Sequence, residues 1–337
     1  MKRYGNLFDK TFSEESLYNA YLSASKGKKK TGSYLKFSSN LGYELIKLRE
    51  EILSGEYKLR PYRRLQIKTP KVRDILAPHF RDVIVQHAIY TTIYPIFNKT
   101  FIHTSFACRK GKGTHAASDY AYFSMKESPK DSYTLHLDVK KYFPSINIKI
   151  LIELLEKKIK DKRLLEIMKL FCTTLETKIG IPLGNLLSQL YALIYLNPVD
   201  HYIKRFLKVK RYVRYVDDMV LIGITKQQAK TYKKVIQNFL YKNLFLSLSK
   251  WSLKHIKRGI NFVGYRTWVT HRLIRKYSLH KIKSAINKNK DHIVWSIISH
   301  AKRSSSIYKI KSFLLTNKEM TTRLSISFQR KLNLCSL

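Results

Sequence analysis

Acidic side chains are scarce in this chain of 337 residues: 23 Asp and Glu face 65 Lys and Arg, a formal net charge of +42. A compact body carrying that charge repels itself and calls for a polyanionic partner. Nucleic acid fits best, because Lys and Arg gain affinity by releasing counterions from phosphates. Cysteine is scarce too. Cys108, Cys172 and Cys335 stand far apart and form no CxxC pair, which excludes a disulfide framework and a zinc ribbon and fits a reducing cytoplasm. No apolar run reaches the length of a membrane span, and the start, MKRYGNLFDKTF, has no apolar signal region. The expectation is a cytoplasmic protein with no membrane partner. Apolar residues still make up 44% of the chain, enough for a packed core.

Residues 1–60 read as a basic helical N-terminal extension, with a charged loop from Ser23 to Gly32 and a helix from Leu41 to Leu53 stopped at Gly55. From Arg60 to Ala77 the pattern turns strand-like around Thr69-Pro70-Lys71, a hairpin signal. Helices are expected over Arg81–Phe97, His115–Lys126, Ile148–Cys172, Leu186–Phe206 and Gln227–Asn243. Strands are expected at Leu135–Val139 and on both sides of Asp217-Asp218. Residues 61–270 form one core, and 271–337 read as a basic helical segment whose only acids are Asp291 and Glu319. This order predicts an α+β fold with helices packed on an antiparallel sheet.

In so acid-poor a chain, carboxylates inside apolar strands are costly unless a cation compensates them. Asp138 lies between Leu137 and Val139. Asp217 and Asp218 lie between Tyr215-Val216 and Met219-Val220. Two Mg²⁺ ions would supply the counter-charge through hard oxygen ligands, and would clamp the oxygens of an in-line phosphoryl displacement. The plainer alternatives are a hairpin turn at Asp217-Asp218 and a local partner, Lys140 or Lys141, for Asp138.

The blocks LHLDVKKYFPSI, GIPLGNLLSQ, RYVRYVDDMVLIG and INFVGY, in that order, resemble the palm motifs of reverse transcriptases; PKVRDILAPHFRDVIVQHAIYTTIYPIF resembles their fingers. The resemblance covers about residues 40–285. It implies a right-hand polymerase with fingers, palm and a helical thumb (271–337), copying template RNA with dNTPs and holding an RNA/DNA duplex. Carried over residue by residue, Asp138 and Asp217, with the Val139 carbonyl, bind the metals, and Asp218 contributes less directly. Arg73 and Lys68 hold the triphosphate, unless they belong to a solvated basic hairpin. Phe143 excludes a 2′-hydroxyl, core packing being its alternative. Phe262, Gly264 and Tyr265 support the primer, and Lys250 stands where a proton donor to pyrophosphate would be.

One block departs from the common pattern. Leu183 replaces a Gln that usually faces the incoming nucleotide, and Gln189 replaces a Pro. Gly-x-x-x-Ser-Gln resembles reverse transcriptases of diversity-generating retroelements, carried by bacteria or phages. That implies an error-prone enzyme, inaccurate at template adenines, diversifying a target gene with a small basic accessory protein that forms a pentameric barrel. The alternatives are a group II intron or retron-type enzyme of ordinary fidelity and, in another class, a non-catalytic RNA-binding protein of polymerase shape. An intron maturase is expected to continue into a splicing or endonuclease domain, and no His/Cys nuclease cluster is expected here.

Overall fold

A computed structural model describes residues 2–68, 72–172, 179–288 and 290–315. The hairpin turn expected at Thr69-Pro70-Lys71 and the stretch after Leu315 lie outside the described residues. The elements in chain order are α1 (Phe8–Thr11), α2 (Glu14–Ala24), α3 (Gly32–Ser38), α4 (Leu41–Ser54), β1 (Arg63–Ile67), β2 (Arg73–Ala77), α5 (Phe80–Asn98) and α6 (Thr114–Lys126). Then come β3 (Tyr133–Val139), α7 (Tyr142–Ser145), α8 (Ile148–Glu156), α9 (Lys162–Leu170) and α10 (Leu186–His201), the last extended by a π-turn at Tyr202–Phe206. β4 (Arg211–Tyr215), β5 (Asp218–Ile224), α11 (Lys226–Leu244), β6 (Leu248–His255), β7 (Ile260–Phe262), β8 (Tyr265–Thr267) and β9 (Arg272–Ile274) follow. The described chain closes with α12 (Lys276–Asn287), α13 (Asp291–Ala301) and α14 (Ser306–Leu315).

These elements group into two compact units that interleave along the chain. The first takes residues 1–103, 138–208 and 234–250; the second takes 104–137, 209–233 and 251–337.

In the first unit α5 is the hub. It is apolar nearly all round (Ile84, Val85, Ala88, Ile89, Ile93), as a helix covered on every side must be. α2 and α3 meet its start through an aromatic cluster in which Tyr21, Tyr34 and Phe37 gather round Phe80 at 5.2–6.0 Å. The N-terminal helices are therefore part of this core. β1 and β2 form the expected antiparallel hairpin, with Ile67 opposite Arg73. The helix expected over Ile148–Cys172 is two helices. Asp161 ends the gap between them, capping α9 at the Leu164 N–H (3.2 Å) and accepting the N–H groups of Leu7 (2.7 Å) and Phe8 (2.9 Å). A carboxylate with three backbone donors cannot stay in a continuing helix. The helix expected to run to Phe206 becomes a π-turn after His201.

The four-stranded sheet has the order β4-β5-β3-β6, and most of it lies in the second unit; Asp138–Val139 of β3 and Leu248–Lys250 of β6 count with the first. α6 covers the sheet, where Ala117, Ala121 and Met125 share a core with Val213, Val220 and Ile222. β7, β8 and β9 make a separate antiparallel sheet. Tyr265 and Ile274 of that sheet share a core with Ile282, Val294, Ile298 and Ile310 of α12–α14. Among the described residues no helix is long and apolar enough to cross a membrane.

Candidate active site

The Asp217-Asp218 pair sits on the tightest turn of the sheet. β4 and β5 pair as far as Tyr215 opposite Asp218, leaving Val216 and Asp217 as a two-residue tip. Such tips need positive φ to match the twist of the strands, and Val216 adopts φ 55°. A β-branched residue is rarely found there, so the tip stores strain of the kind that clusters at functional sites. Beneath it, Arg214 is fully buried, and its Nη1 donates to the Val216 carbonyl at 2.9 Å. Arg214 is itself anchored through its main chain, its N–H bonding the Thr104 carbonyl and its carbonyl accepting the Phe106 N–H, both at 3.0 Å.

Asp218 is partly exposed, and its Oδ1 lies 2.5 Å from His136 Nε2. β3 is the hydrogen-bonded neighbour of β5. Its Leu135, Leu137 and Val139 are buried, whereas His136 and Asp138 are partly exposed, as alternation along a strand requires. Asp138 is oriented by a different partner: Ser249 Oγ donates to its Oδ2 at 2.5 Å and lies 3.2 Å from its carbonyl oxygen. Each of these two carboxylates thus has one oxygen directed by a neighbour, an arrangement that orients metal ligands in many sites. The donors are hard oxygens of the type Mg²⁺ takes. Among the described residues, no three or more His, Cys, Asp or Glu side chains are gathered as a formed metal site.

The rest of the first unit's candidates surround one loop. Gly180 and Ile181 donate to the carbonyls of Ile146 (2.8 Å) and Phe143 (3.1 Å), and Phe143 itself is only partly buried. The Leu183 carbonyl accepts the Leu76 N–H of β2 at 2.8 Å. Gly184, at φ 116°, lies so close that a Cβ would stand 2.8 Å from both Ile75 Cγ2 and the Leu76 carbonyl. Leu183 is thereby held against the hairpin that carries Lys68 and Arg73, both exposed. Gln189 is exposed on the first turns of α10, and Lys250 is exposed beside Ser249.

In the second unit, Phe262 and Tyr265 are core residues. The close approach at Gly264 is to an imidazole, since a Cβ there would lie 2.8 Å from His300 Nε2. Tyr265 stacks on His300 with 4.1 Å between ring centroids, donates to the His300 carbonyl at 2.6 Å and lies 3.0 Å from His115 Nδ1. Burial, foremost, holds both imidazoles below the ordinary histidine range, and nearby Arg303 and Arg272 act the same way on His115. Burial also pushes the Tyr265 phenol up to about 12.

His136, Ser249 and Arg214 are residues that sequence reasoning missed. The alternation in LHLDV places His136 on the face of Asp138 and is the signal for it. Ser249 comes from a strand distant in sequence, and nothing marks Arg214 as buried among so many cations.

Residues 67–267, well over half the chain, match the family described as reverse transcriptase (RNA-dependent DNA polymerase). The chain belongs to that family, and its α+β architecture is that of a right-hand polymerase. It is 28% identical to the protein YkfC of Escherichia coli over 71% of this chain and 74% of that protein. It is also 28% identical to the group II intron-encoded protein LtrA of Lactococcus lactis, over 50% of this chain and 29% of LtrA. The yeast COX1/OXI3 intron 2 protein is 25% identical over 74% of this chain and 38% of its own length. The chain thus spans well under two thirds of the intron-encoded relatives. A solved telomerase from Candida albicans, in complex with a fragment of telomeric RNA, aligns with a TM-score of 0.49 and 13% identity over 83% of this chain and 64% of the telomerase.

Proposed function

We propose that this protein copies an RNA template into cDNA through Asp138, Asp217 and Asp218, and that it is the mutagenic enzyme of a diversity-generating retroelement. The observation that carries the catalytic reading is the strained Val216-Asp217 tip, held on a buried Arg214 and followed by Asp218 with its oxygen on His136. With the Val139 carbonyl, the three carboxylates would hold two Mg²⁺ ions. Bound there, the ions supply the positive charge that an in-line phosphoryl displacement needs at its attacking and leaving oxygens. His136 orients Asp218 and Ser249 orients Asp138. Arg73 and Lys68 bind the triphosphate. Phe143 bars a 2′-hydroxyl, and Lys250 gives a proton to pyrophosphate. Phe262, Gly264 and Tyr265 form the segment that supports the primer.

Leu183 supports the mutagenic reading. An aliphatic side chain offers no hydrogen bond to a nucleotide held by the neighbouring hairpin, and losing polar contacts weakens discrimination. Because the chain and the accessory barrel are both basic, RNA would lie between them and join them. A second reading, an intron-type enzyme of ordinary fidelity, is supported by the likeness to LtrA.

Primer extension on an RNA template with dNTPs and Mg²⁺ tests the first claim. Extension is expected, and Asp217→Asn should reduce it by about a hundredfold or more. No cDNA from the full chain, with accessory protein and RNA supplied, would sink it. Sequencing that cDNA decides between the readings: errors concentrated opposite adenines support the retroelement, and even, rare errors support the intron-type enzyme.

A further inference from the structure

The far end of α10 carries a short stack of aromatic rings, all within the first unit. The turn at Tyr202–Phe206 is a π-turn, closed by the Leu207 N–H on the Tyr202 carbonyl at 3.0 Å, and such turns recur at functional sites. It brings the rings of Tyr202 and Phe206 to 5.1 Å from each other and within 14° of parallel. Phe239 of α11 lies 4.5 Å from Tyr202, at 21°. Three near-parallel rings thus follow one another: Phe239, Tyr202 and Phe206. The first two are half-buried, whereas Phe206 is 72% exposed and ends the series in solvent.

A single open phenylalanine is ordinary on a protein surface. The charge round this one is not. Arg205 and Lys208 stand beside it in the chain and are exposed, and Lys242 is exposed one turn after Phe239. Neither Tyr202–Lys208 nor α11 contains an acidic residue, and Asp200, just before them, is fully buried. A basic protein partner would be repelled by such a rim. A nucleotide strand suits both features: a base face continues the stack, and the phosphates on either side of it meet the cations. Duplex bases already stack on each other, so the strand must be unpaired.

We infer that Phe206 is the platform of a second nucleic-acid site, where an unpaired base of the RNA stacks while Arg205 and Lys208 hold the adjoining phosphates. RNA is the strand that fits, since newly made cDNA stays paired with its template. The site is separate from the nucleotide position of the polymerase. Leu183 and its loop precede the first turn of α10, and Phe206 lies roughly 30 Å further along the helix at 1.5 Å per residue. Binding there needs neither metal nor dNTP, so it stands or falls apart from the catalytic reading.

Fluorescence anisotropy of a labelled, unstructured RNA dodecamer tests this, with the full chain saturated by unlabelled primer–template and EDTA present. Phe206→Ala and Phe206→Leu should each weaken binding by roughly 5- to 150-fold, the range of one base–aromatic stack. Phe206→Trp should preserve or tighten it. Arg205→Ala/Lys208→Ala should weaken binding and flatten the salt slope by roughly 1.4, at about 0.7 per phosphate on a single strand. Primer extension on a short template should be unchanged in all four variants. RNA binding retained by Phe206→Leu overturns the proposal, because an aliphatic side chain offers no ring face to a base. An equal loss for a blunt RNA duplex overturns it too, as does a DNA dodecamer held more tightly through Phe206 than the RNA. Loss of accessory-protein binding with RNA affinity intact would assign the surface to that protein instead.

Discussion

Val216, Arg214 and His136 show how much of a polymerase tip depends on side chains that do no chemistry. At φ 55° Val216 is strained, and each such residue costs on the order of 1–3 kcal/mol. Val216→Gly should therefore raise the melting temperature while lowering primer extension, because the relaxed tip no longer presents Asp217 in one place. Unchanged stability would mean the strain is not there. His136 touches Asp218 at 2.5 Å, and partners of this kind typically alter metal affinity or activity by roughly 10–100-fold. His136→Phe should raise the Mg²⁺ concentration needed for half-maximal extension by that factor while preserving the fold by circular dichroism. A simple loss of activity at every Mg²⁺ concentration would argue that His136 serves packing alone.

The loop and the cap act at the scale of elements. Gly184 lets the loop before α10 meet β2, and Gly184→Ala would set a methyl group 2.8 Å from the Leu76 carbonyl while asking Ala to hold φ 116°. A destabilisation of about 1–3 kcal/mol is expected, measurable by denaturant unfolding, together with a raised KM for dNTPs as the hairpin of Lys68 and Arg73 shifts. Asp161 joins α1 to α9. Burial alone would raise its pKa, but the N–H groups of Phe8, Leu164 and Leu7 outweigh that and hold it below the ordinary carboxylate range. A depressed folded pKa means the stabilisation is complete above the unfolded value of about 3.9 and is lost as pH falls through the folded one. Asp161→Asn should flatten the fall in stability below about pH 4 relative to the parent chain; parallel acid-unfolding curves would exclude this role.

Charge dominates at the scale of the whole molecule. With +42 to neutralise, binding to any RNA should weaken linearly in log K against log salt, with a slope of roughly −0.7 to −0.9 per phosphate neutralised. RNA or heparin should raise the melting temperature, and the gain should vanish at high salt. A salt-independent affinity would require recognition built on base contacts instead. The cations do not all serve this end: Arg272 and Arg303 both pair with Asp119, linking α6 to β9 and to the turn after α13.

Alternation and turn signals made β3 and the β1–β2 and β4–β5 hairpins legible in the sequence, together with the place of Asp138, Asp217 and Asp218 along them, because local backbone preference and side-chain period follow from neighbours a few residues apart. The break between α8 and α9 was not legible, since it depends on Asp161 meeting Leu7 and Phe8 from the far N-terminus. Neither was Ser249 on Asp138, nor the imidazole that fills the space beside Gly264. Sequence alone determined which residues carry charge and where the few carboxylates fall among apolar strands. Only the tertiary structure decided that Ser249 engages Asp138, that His136 engages Asp218 and that Arg214 is buried beneath the tip. Those depend on contacts between distant segments, and no local pattern encodes them.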